Sequence, residues 1–408
     1  MKICDSSKCT GCGACVSICP KKCISFRPDS MDRMVALADE TVCVNCGLCK
    51  KTCPQNCKSE ANMPLRCYAA WSMKTNIRAR SASGGVAAEL YKDAVEHGVS
   101  IVGVVLDKDM SCHFEISKDA TIIEQFQNSK YVFSKMGMIY QVIEEELKRN
   151  LEVVFVGLPC QVAGLKSFLG TRGIQKDTLY TADLVCHGSA PERYLSDHIK
   201  WIEKRKHKTV DAVCFRDPDY GTHNFCFTAK NGASEIYHRK VYRDDTYQVG
   251  YHSGIIYREN CYQCQYACVE RQGDITLADF SGVGSKQPCC YSNINVSCVL
   301  ANTEKGEEWV QRLSKTKKIY IEERPIEEEL DTEKQLHAPT AVTAERRKFI
   351  EKYSEKRDFE KAMKYAAGFR MTRNEIRYYS HVDDIKALLR RMISPGAKSI
   401  LKKALKRN

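Results

Sequence analysis

Cysteine spacing constrains the first sixty residues of this 408-residue chain more tightly than any other feature. Cys9-Thr-Gly-Cys12-Gly-Ala-Cys15-Val-Ser-Ile-Cys19-Pro20 returns as Cys43-Val-Asn-Cys46-Gly-Leu-Cys49-Lys-Lys-Thr-Cys53-Pro54. Each copy reads C-x2-C-x2-C-x3-C-P. Three closely spaced thiolates wrap three corners of a [4Fe–4S] cube, and the fourth, ahead of proline, reaches across to the other cube. The spacing therefore predicts Cys9, Cys12, Cys15 and Cys53 around one cluster, and Cys43, Cys46, Cys49 and Cys19 around the other. Gly11, Gly13 and Gly47 let the backbone bend around the inorganic core. Zinc knuckles are the competing reading. Zinc takes four ligands per site, usually from C-x2-C pairs split by a longer gap, and explains repeated four-cysteine runs poorly. Cys4, Cys23 and Cys57 fall outside the pattern and are expected to be ordinary thiols.

The two runs predict an α+β ferredoxin-like dicluster module over residues 1–60, with Ile24–Arg27 and Val35–Ala38 as short strands. About 350 residues remain, enough for one or two further domains. The chain has 23 cysteines, but it opens Met-Lys-Ile-Cys with no apolar leader. The thiols thus fit a reducing cytosol and iron–sulfur chemistry better than disulfides. No apolar run approaches the roughly 18 residues needed to span a bilayer, and a cytoplasmic protein is expected. Net charge is +12, from 63 Lys+Arg and 51 Asp+Glu. Residues 341–408 contribute 19 basic and 8 acidic side chains, or +11, which leaves 44 − 43 = +1 for the rest. A basic tail on a nearly neutral body argues against a nucleic-acid-binding protein.

After a short link at 62–67, Tyr68–Trp71 opens a second region as a strand. Ser81-Ala-Ser83-Gly84-Gly85 leads into a helical pattern, and such a turn presents backbone N–H groups that suit a phosphate or merely cap the helix. Ile101–Leu106 and Cys112–Ile116 read as paired strands. A helix over 138–150 precedes the apolar strand Val153–Gly157, then Leu158-Pro159-Cys160-Gln161 and a helix from Val162 to Leu169. Thr181–Val185 repeats the arrangement, followed by Cys186-His187-Gly188 and a helix from Pro191 to about Lys206. Both units place a cysteine at the C-terminal edge of a strand, where open α/β sheets build sites; a buried apolar cysteine is the alternative for each alone. Residues 211–257 read as antiparallel strands. Cys261-Tyr-Gln-Cys264-Gln-Tyr-Ala-Cys268 and the strand Gly273–Phe280 follow, with a strand over 294–301 and a helix over 304–314. Past Pro339 the chain is helical and charged, and it closes in a short basic amphipathic helix from Ala397. That helix is expected to be solvated rather than bound to an anionic membrane.

Residues 65–315 resemble the beta-subunit family of coenzyme F420-reducing hydrogenases and dehydrogenases. The matching stretches are Ser81–Gly85, Asn128-Ser-Lys130-Tyr131-Val, Val156-Gly-Leu-Pro-Cys160-Gln-Val-Ala-Gly-Leu-Lys166, Cys186-His-Gly188, Cys261-Tyr-Gln-Cys264 and Gly273-Asp-Ile-Thr-Leu-Ala-Asp-Phe280. Members with a fused N-terminal two-cluster module belong to the family's architecture, in agreement with residues 1–60. The resemblance implies an α/β flavin-binding domain whose N-terminal part spans 65–150 and whose C-terminal part spans 151–335, ahead of the helical basic tail at 340–408. It also implies an FAD held without a G-x-G-x-x-G fingerprint, and a third [4Fe–4S] cluster beside it. The ligand candidates are Cys160, Cys186, Cys261 and Cys264, with Cys268 as an extra thiol that replaces one of them or is inert. Ser83, Gly84 and Gly85 are candidates for a flavin or substrate phosphate. Lys130 and Lys166 neutralise phosphate or the reduced flavin, or are surface lysines. His187 tunes the cluster or is a polar loop residue.

A flavin exchanges two electrons as hydride and iron–sulfur clusters pass one at a time, so a chain with both converts one regime to the other. The expected partners are a deazaflavin or other hydride carrier and a redox protein, either a ferredoxin or a larger oxidoreductase. The alternatives are a ferredoxin-driven reductase of an organic substrate, with electrons flowing the other way, and a flavin-free electron-carrier subunit. The fold predicts electron transfer better than it predicts the substrate.

Overall fold

The protein is described by a computed structural model covering residues 1–57 and 60–380; the basic helix expected from Ala397 lies outside the described residues. Two short strands, β1 (Ile24–Pro28) and β2 (Met34–Ala38), form an antiparallel hairpin in the N-terminal module. Then follow β3 (Arg66–Ser72), β4 (Ser100–Leu106), β5 (Cys112–Ser117), β6 (Ser134–Lys135), β7 (Val153–Gly157) and β8 (Leu179–Leu184). Next come β9 (Ala212–Cys214), β10 (Cys226–Asn231), β11 (Ser234–Lys240), β12 (Ile275–Asp279), β13 (Ser297–Ala301) and β14 (Ile319–Glu323).

Nine of these strands make one mixed sheet in the order β14-β3-β13-β12-β8-β7-β4-β5-β6. Its centre, β12-β8-β7-β4, is parallel, and strands that pair antiparallel flank it. β7 explains the centre: Val153-Val-Phe-Val-Gly157 is buried throughout, the mark of a strand covered on both faces. Alternation then divides the core in two. Val153 and Phe155 point to a cluster that also holds Cys12, Ala14 and Ile18 of the N-terminal module, whereas Val154 and Val156 meet Val86, Leu90 and Trp309 on the opposite face. The module therefore lies over one face of the sheet. It meets the sheet through the helix Pro159–Arg172, whose Ser167 hydroxyl donates to the Thr52 carbonyl at 2.8 Å.

Three features differ from the sequence-based expectations. The helix after β7 begins at Pro159, with proline in its first turn, so Cys160 stands on the helix and not in the loop before it. Within 211–257 only β9, β10 and β11 are strands; Thr246–His252 is helical because the Asp245 carboxylate accepts the Gln248 N–H at 2.6 Å and caps it. The charged region past Pro339 is not uniformly tail-like. Helices Ala344–Lys356 and Phe359–Tyr379 bury Phe349, Tyr353, Phe359, Ala362, Met363 and Met371 against the body. Tyr353 donates to the Asp32 carboxylate of the module at 2.6 Å.

Candidate metal centres

The two N-terminal runs fold alike. Gly13 (φ +83°) and Gly47 (φ +75°) take left-handed conformations that open the short helices Ala14–Ile18 and Leu48–Thr52. Each glycine thereby turns one cysteine, Cys15 or Cys49, back over the loop that precedes it. Cys9, Cys12, Cys15 and Cys53 line one cavity together with Cys4. Burial pushes the Cys12 thiol up to about 12, while the adjoining Cys4 thiol holds Cys9 down at about 5 against its own burial. Cys19, Cys43, Cys46 and Cys49 line a second cavity together with Cys23, whose sulfur is 3.5 Å from that of Cys19. The crossed grouping expected from the spacing, in which Cys53 joins the first run and Cys19 the second, is the grouping the fold produces.

Cys4 and Cys23, read as ordinary thiols, line the same two cavities as the expected ligands. Cys4 hydrogen-bonds both Cys53 and Cys9, so each cavity has a fifth sulfur. Cys57 does lie apart, exposed, donating to the Lys51 carbonyl at 3.4 Å. The signal for Cys23 was in the sequence, because Cys-Pro-x-x-Cys ends both runs; for Cys4 there was none.

A third group assembles from three segments of the body. Cys160 stands in the first turn of the helix after β7, Cys186 follows β8, and Cys261 and Cys264 lie in and after the short turn at Glu259–Gln263. Burial raises Cys160 well above the usual thiol range, and the thiols of Cys264, Cys186, Cys12 and Cys261 add to it. These four body cysteines therefore share one neighbourhood, with Cys12 of the module beside it. The loop is clamped by Arg271, which is buried and donates to the Tyr266 and Cys268 carbonyls at 3.3 and 3.2 Å and pairs with Asp183 of β8 at 3.3 Å. Cys268 turns away, donating to the Glu270 carbonyl at 3.3 Å. His187 reaches Glu333 at 3.2 Å. Among the described residues, no three His, Cys, Asp or Glu side chains close on a common point as a lone metal ion requires. In the two module sets the sulfurs line cavities instead, a donor arrangement suited to a polynuclear cluster.

The residues expected at a flavin lie on two elements: the turn of Ser83–Gly85 adjoins the Lys130 segment, where the Gln127 amide donates to the Ser81 hydroxyl at 3.3 Å, and Lys166 stands on the helix Pro159–Arg172. The Ser83 hydroxyl donates to the Val296 carbonyl at 3.0 Å, and the Gly84 N–H donates to the Ser297 hydroxyl at 2.9 Å. A Cβ at Gly84 would fall 2.3 Å from the Ala70 carbonyl, so this glycine lets the turn pack onto β3 and β13. Gly85 (φ +88°) opens the helix Val86–Glu96. Lys130 donates to the carbonyls of Gln125, Phe126 and Gln127 at 2.6, 3.2 and 2.9 Å, and burial lowers its ammonium to about 8. Lys166 donates to the Gln272 carbonyl at 2.5 Å. Ser83, Gly84, Lys130 and Lys166 thus have donors engaged by protein oxygens. Lys130 does border a cleft of about 300 Å³ whose walls include Arg80, Asn128, Cys214 and Phe215. That volume stands at the lower end of small-molecule sites.

Residues 8–57 match the family described as "4Fe-4S dicluster domain". Residues 151–329 match the family described as the C terminus of the "Coenzyme F420 hydrogenase/dehydrogenase" beta subunit. Among curated proteins, none matches the sequence. A similar solved structure is a chain of the F420-reducing [NiFe] hydrogenase complex from Methanosarcina barkeri, studied by xenon derivatization. It is 14% identical, with 76% of this chain and 91% of that chain covered, at a TM-score of 0.44. No helix among the described residues is long and apolar enough to cross a membrane. The chain thus matches the C-terminal model of the coenzyme F420 hydrogenase/dehydrogenase beta-subunit family over residues 151–329, behind an N-terminal match to the 4Fe-4S dicluster domain.

Proposed function

We propose that the protein is an iron–sulfur oxidoreductase subunit that passes electrons between a hydride carrier of the coenzyme F420 type, bound at the body, and a ferredoxin-like partner, met at the module. The observation that carries this reading is contiguity. The third cysteine group and the first module group adjoin: the Cys12 thiol is among those that raise Cys160, and Gly164, one helical turn past Cys160, packs against Cys12. The second module group lies farther out, with Cys46 exposed and Val42 and Val44 uncovered beside it. Lys21, Lys22, Lys50 and Lys51 are also exposed there, and this basic rim around an apolar patch suits an acidic electron-carrier protein.

The chain's own residues give the steps their order. Cys160, Cys186, Cys261 and Cys264 would hold one cluster, Cys9, Cys12, Cys15 and Cys53 a second, and Cys43, Cys46, Cys49 and Cys19 a third. A cluster bound by four thiolates supplies one-electron chemistry. Helix Pro159–Arg172 and the Arg271 clamp fix the first of these groups against the next. The cleft beside Lys130 is the body's candidate for the hydride carrier or for a flavin. Its wall residue Phe215 leads through Tyr131 (ring centroids 5.5 Å apart) to Tyr251 (4.5 Å), which donates to the Gly188 carbonyl two residues beyond Cys186.

Iron, sulfide and flavin are to be counted per chain after anaerobic purification, together with a visible spectrum. About twelve irons support three four-iron clusters, and Cys160→Ala is expected to lose about four of them. Full iron in that variant would remove Cys160 from the ligand set. One flavin per chain supports the two-electron to one-electron converter, whereas iron without flavin favours an electron-carrier subunit.

A further inference from the structure

Arg258 is one of the most enclosed charged residues in the protein, 2% exposed. Its backbone belongs to the third cysteine group. The Arg258 N–H donates to the Ser189 carbonyl at 2.9 Å, three residues past Cys186, and the Arg258 carbonyl accepts the Cys261 N–H at 2.9 Å. Its side chain belongs to the first. Nη1 donates to the carbonyl of Thr10, between Cys9 and Cys12, at 2.6 Å, and Nη2 donates to the Met34 carbonyl at 3.0 Å. A Cβ on Gly11 would come within 2.8 Å of Nη2. The guanidinium also lies over the Phe133 ring, 4.0 Å from its centroid.

Two facts make this placement unusual for an arginine. The charges it senses most are those of Cys261, Cys9 and Cys160, with Arg33 opposing; no carboxylate is among them. Its Nε–H is buried and has no hydrogen-bond partner. A buried cation without an anion is costly, and a buried donor left unpaired adds to that cost. Carbonyl oxygens satisfy donors but do not balance charge. Asp29 and Glu259 border the cavity beside Arg258 but pair with Arg33 and Arg346, so the negative charges it senses most are the thiolates of the two cysteine groups, with the cubes they would bind.

We propose that Arg258 is the shared counter-cation of the first module cluster and the body cluster, and that it raises the reduction potential of both. The inference rests on the three-cluster reading above. Each cube gains one electron and one negative charge on reduction, with no proton transfer, so a fixed cation in low dielectric favours the reduced form. The cation also joins the module to the body where electrons cross, while the second module cluster, among exposed residues, stands outside its reach. Arg258 is a positioning and tuning residue; it is not a ligand.

The test is an EPR-monitored redox titration of the full chain, purified anaerobically, with iron counted first. In Arg258→Gln, which keeps polar reach and removes charge, two of three cluster potentials are expected to fall and the third to stay. Arg258→Lys is expected to show a smaller fall of the same two. Full iron with all potentials unchanged, or with all three lowered alike, would overturn the role of Arg258. Should Arg258→Gln load incompletely, a fully loaded Arg258→Met, which also removes the charge, decides, and no shift there overturns the proposal. A wild-type protein with about eight irons would instead sink the three-cluster reading itself, so the two failures are separable.

Discussion

Residues 1–57 and the nine-stranded body differ in what holds them. The module contains eleven of the 23 cysteines, and its own buried apolar side chains are few and small, among them Ile3, Ala14, Ile18, Ile24 and Ala36. Chains of this length rarely gather a sufficient core unaided and rely on metals or disulfides. The body encloses its sheet between two apolar layers, with Trp309, Phe155, Tyr194 and Phe227 fully buried. Inorganic ligation on one side and close packing on the other imply different vulnerabilities.

The comparison breaks most visibly if iron is removed. Chelation under anaerobic conditions is expected to abolish hydrogen-exchange protection across the module, because binding free energy of such ligands is folding free energy. Protection of β7, β8 and β12 is expected to persist. Collapse of the whole body along with the module would show that the two are one cooperative unit. A core truncation sharpens the contrast from the other side. Leu313, buried beneath the sheet with Trp309 and Val310, is expected to cost about 2–5 kcal/mol on Leu313→Ala. Denaturant unfolding followed by far-ultraviolet circular dichroism measures it, with iron content unchanged in the folded protein.

The smallest effect is a pH dependence confined to the body. Burial disfavours the charged form of His198, but the Asp245 and Glu360 carboxylates at 2.9 and 2.7 Å prevail and lift its pKa to about 10. Burial, with the nearby Glu333 and Asp279 charges adding to it, lifts Glu329 to about 8. In both cases the folded chain holds its proton more tightly than the unfolded chain. Their contributions are complete below the unfolded values, about 6.5 and 4.5, and are lost as pH rises through 10 and 8. Melting temperature of the body is expected to fall from pH 6 to pH 10, and Glu329→Gln is expected to flatten the part below pH 8. A profile that rises with pH would show that other groups dominate.

What the sequence made legible follows the same division. Both cysteine groupings of the module were readable because ligation fixes residue type and spacing together. Strands such as β7 were readable because a strand buried on both faces cannot avoid an apolar run. The helices after Pro339 were readable but their packing was not, since net charge over 341–408 masks the buried face formed by Phe349, Tyr353, Phe359 and Met363. Lys130 and Lys166 invited a phosphate role, but a lysine's donors are equally served by carbonyls, and only the fold decides which it meets. Arg258 carried no signal at all: its neighbours Thr10, Met34 and Ser189 are distant in sequence.

The position of β3 bears on how the protein is made. β3 ends at Ser72, yet its two neighbours are β13, which starts at Ser297, and β14, which starts at Ile319. At roughly 5–20 residues per second on the ribosome, the roughly 225 residues from Ser72 to Ser297 take roughly 10–50 s to synthesise. The module, by contrast, meets its packing partner as soon as the helix Pro159–Arg172 emerges, and until then its cavities are open to iron–sulfur delivery. Once the segment from Arg258 to Cys268 arrives and β13 closes the sheet, access narrows. Cluster insertion into the module is thus a task suited to the first half of synthesis, and gathering of the four body cysteines to its end.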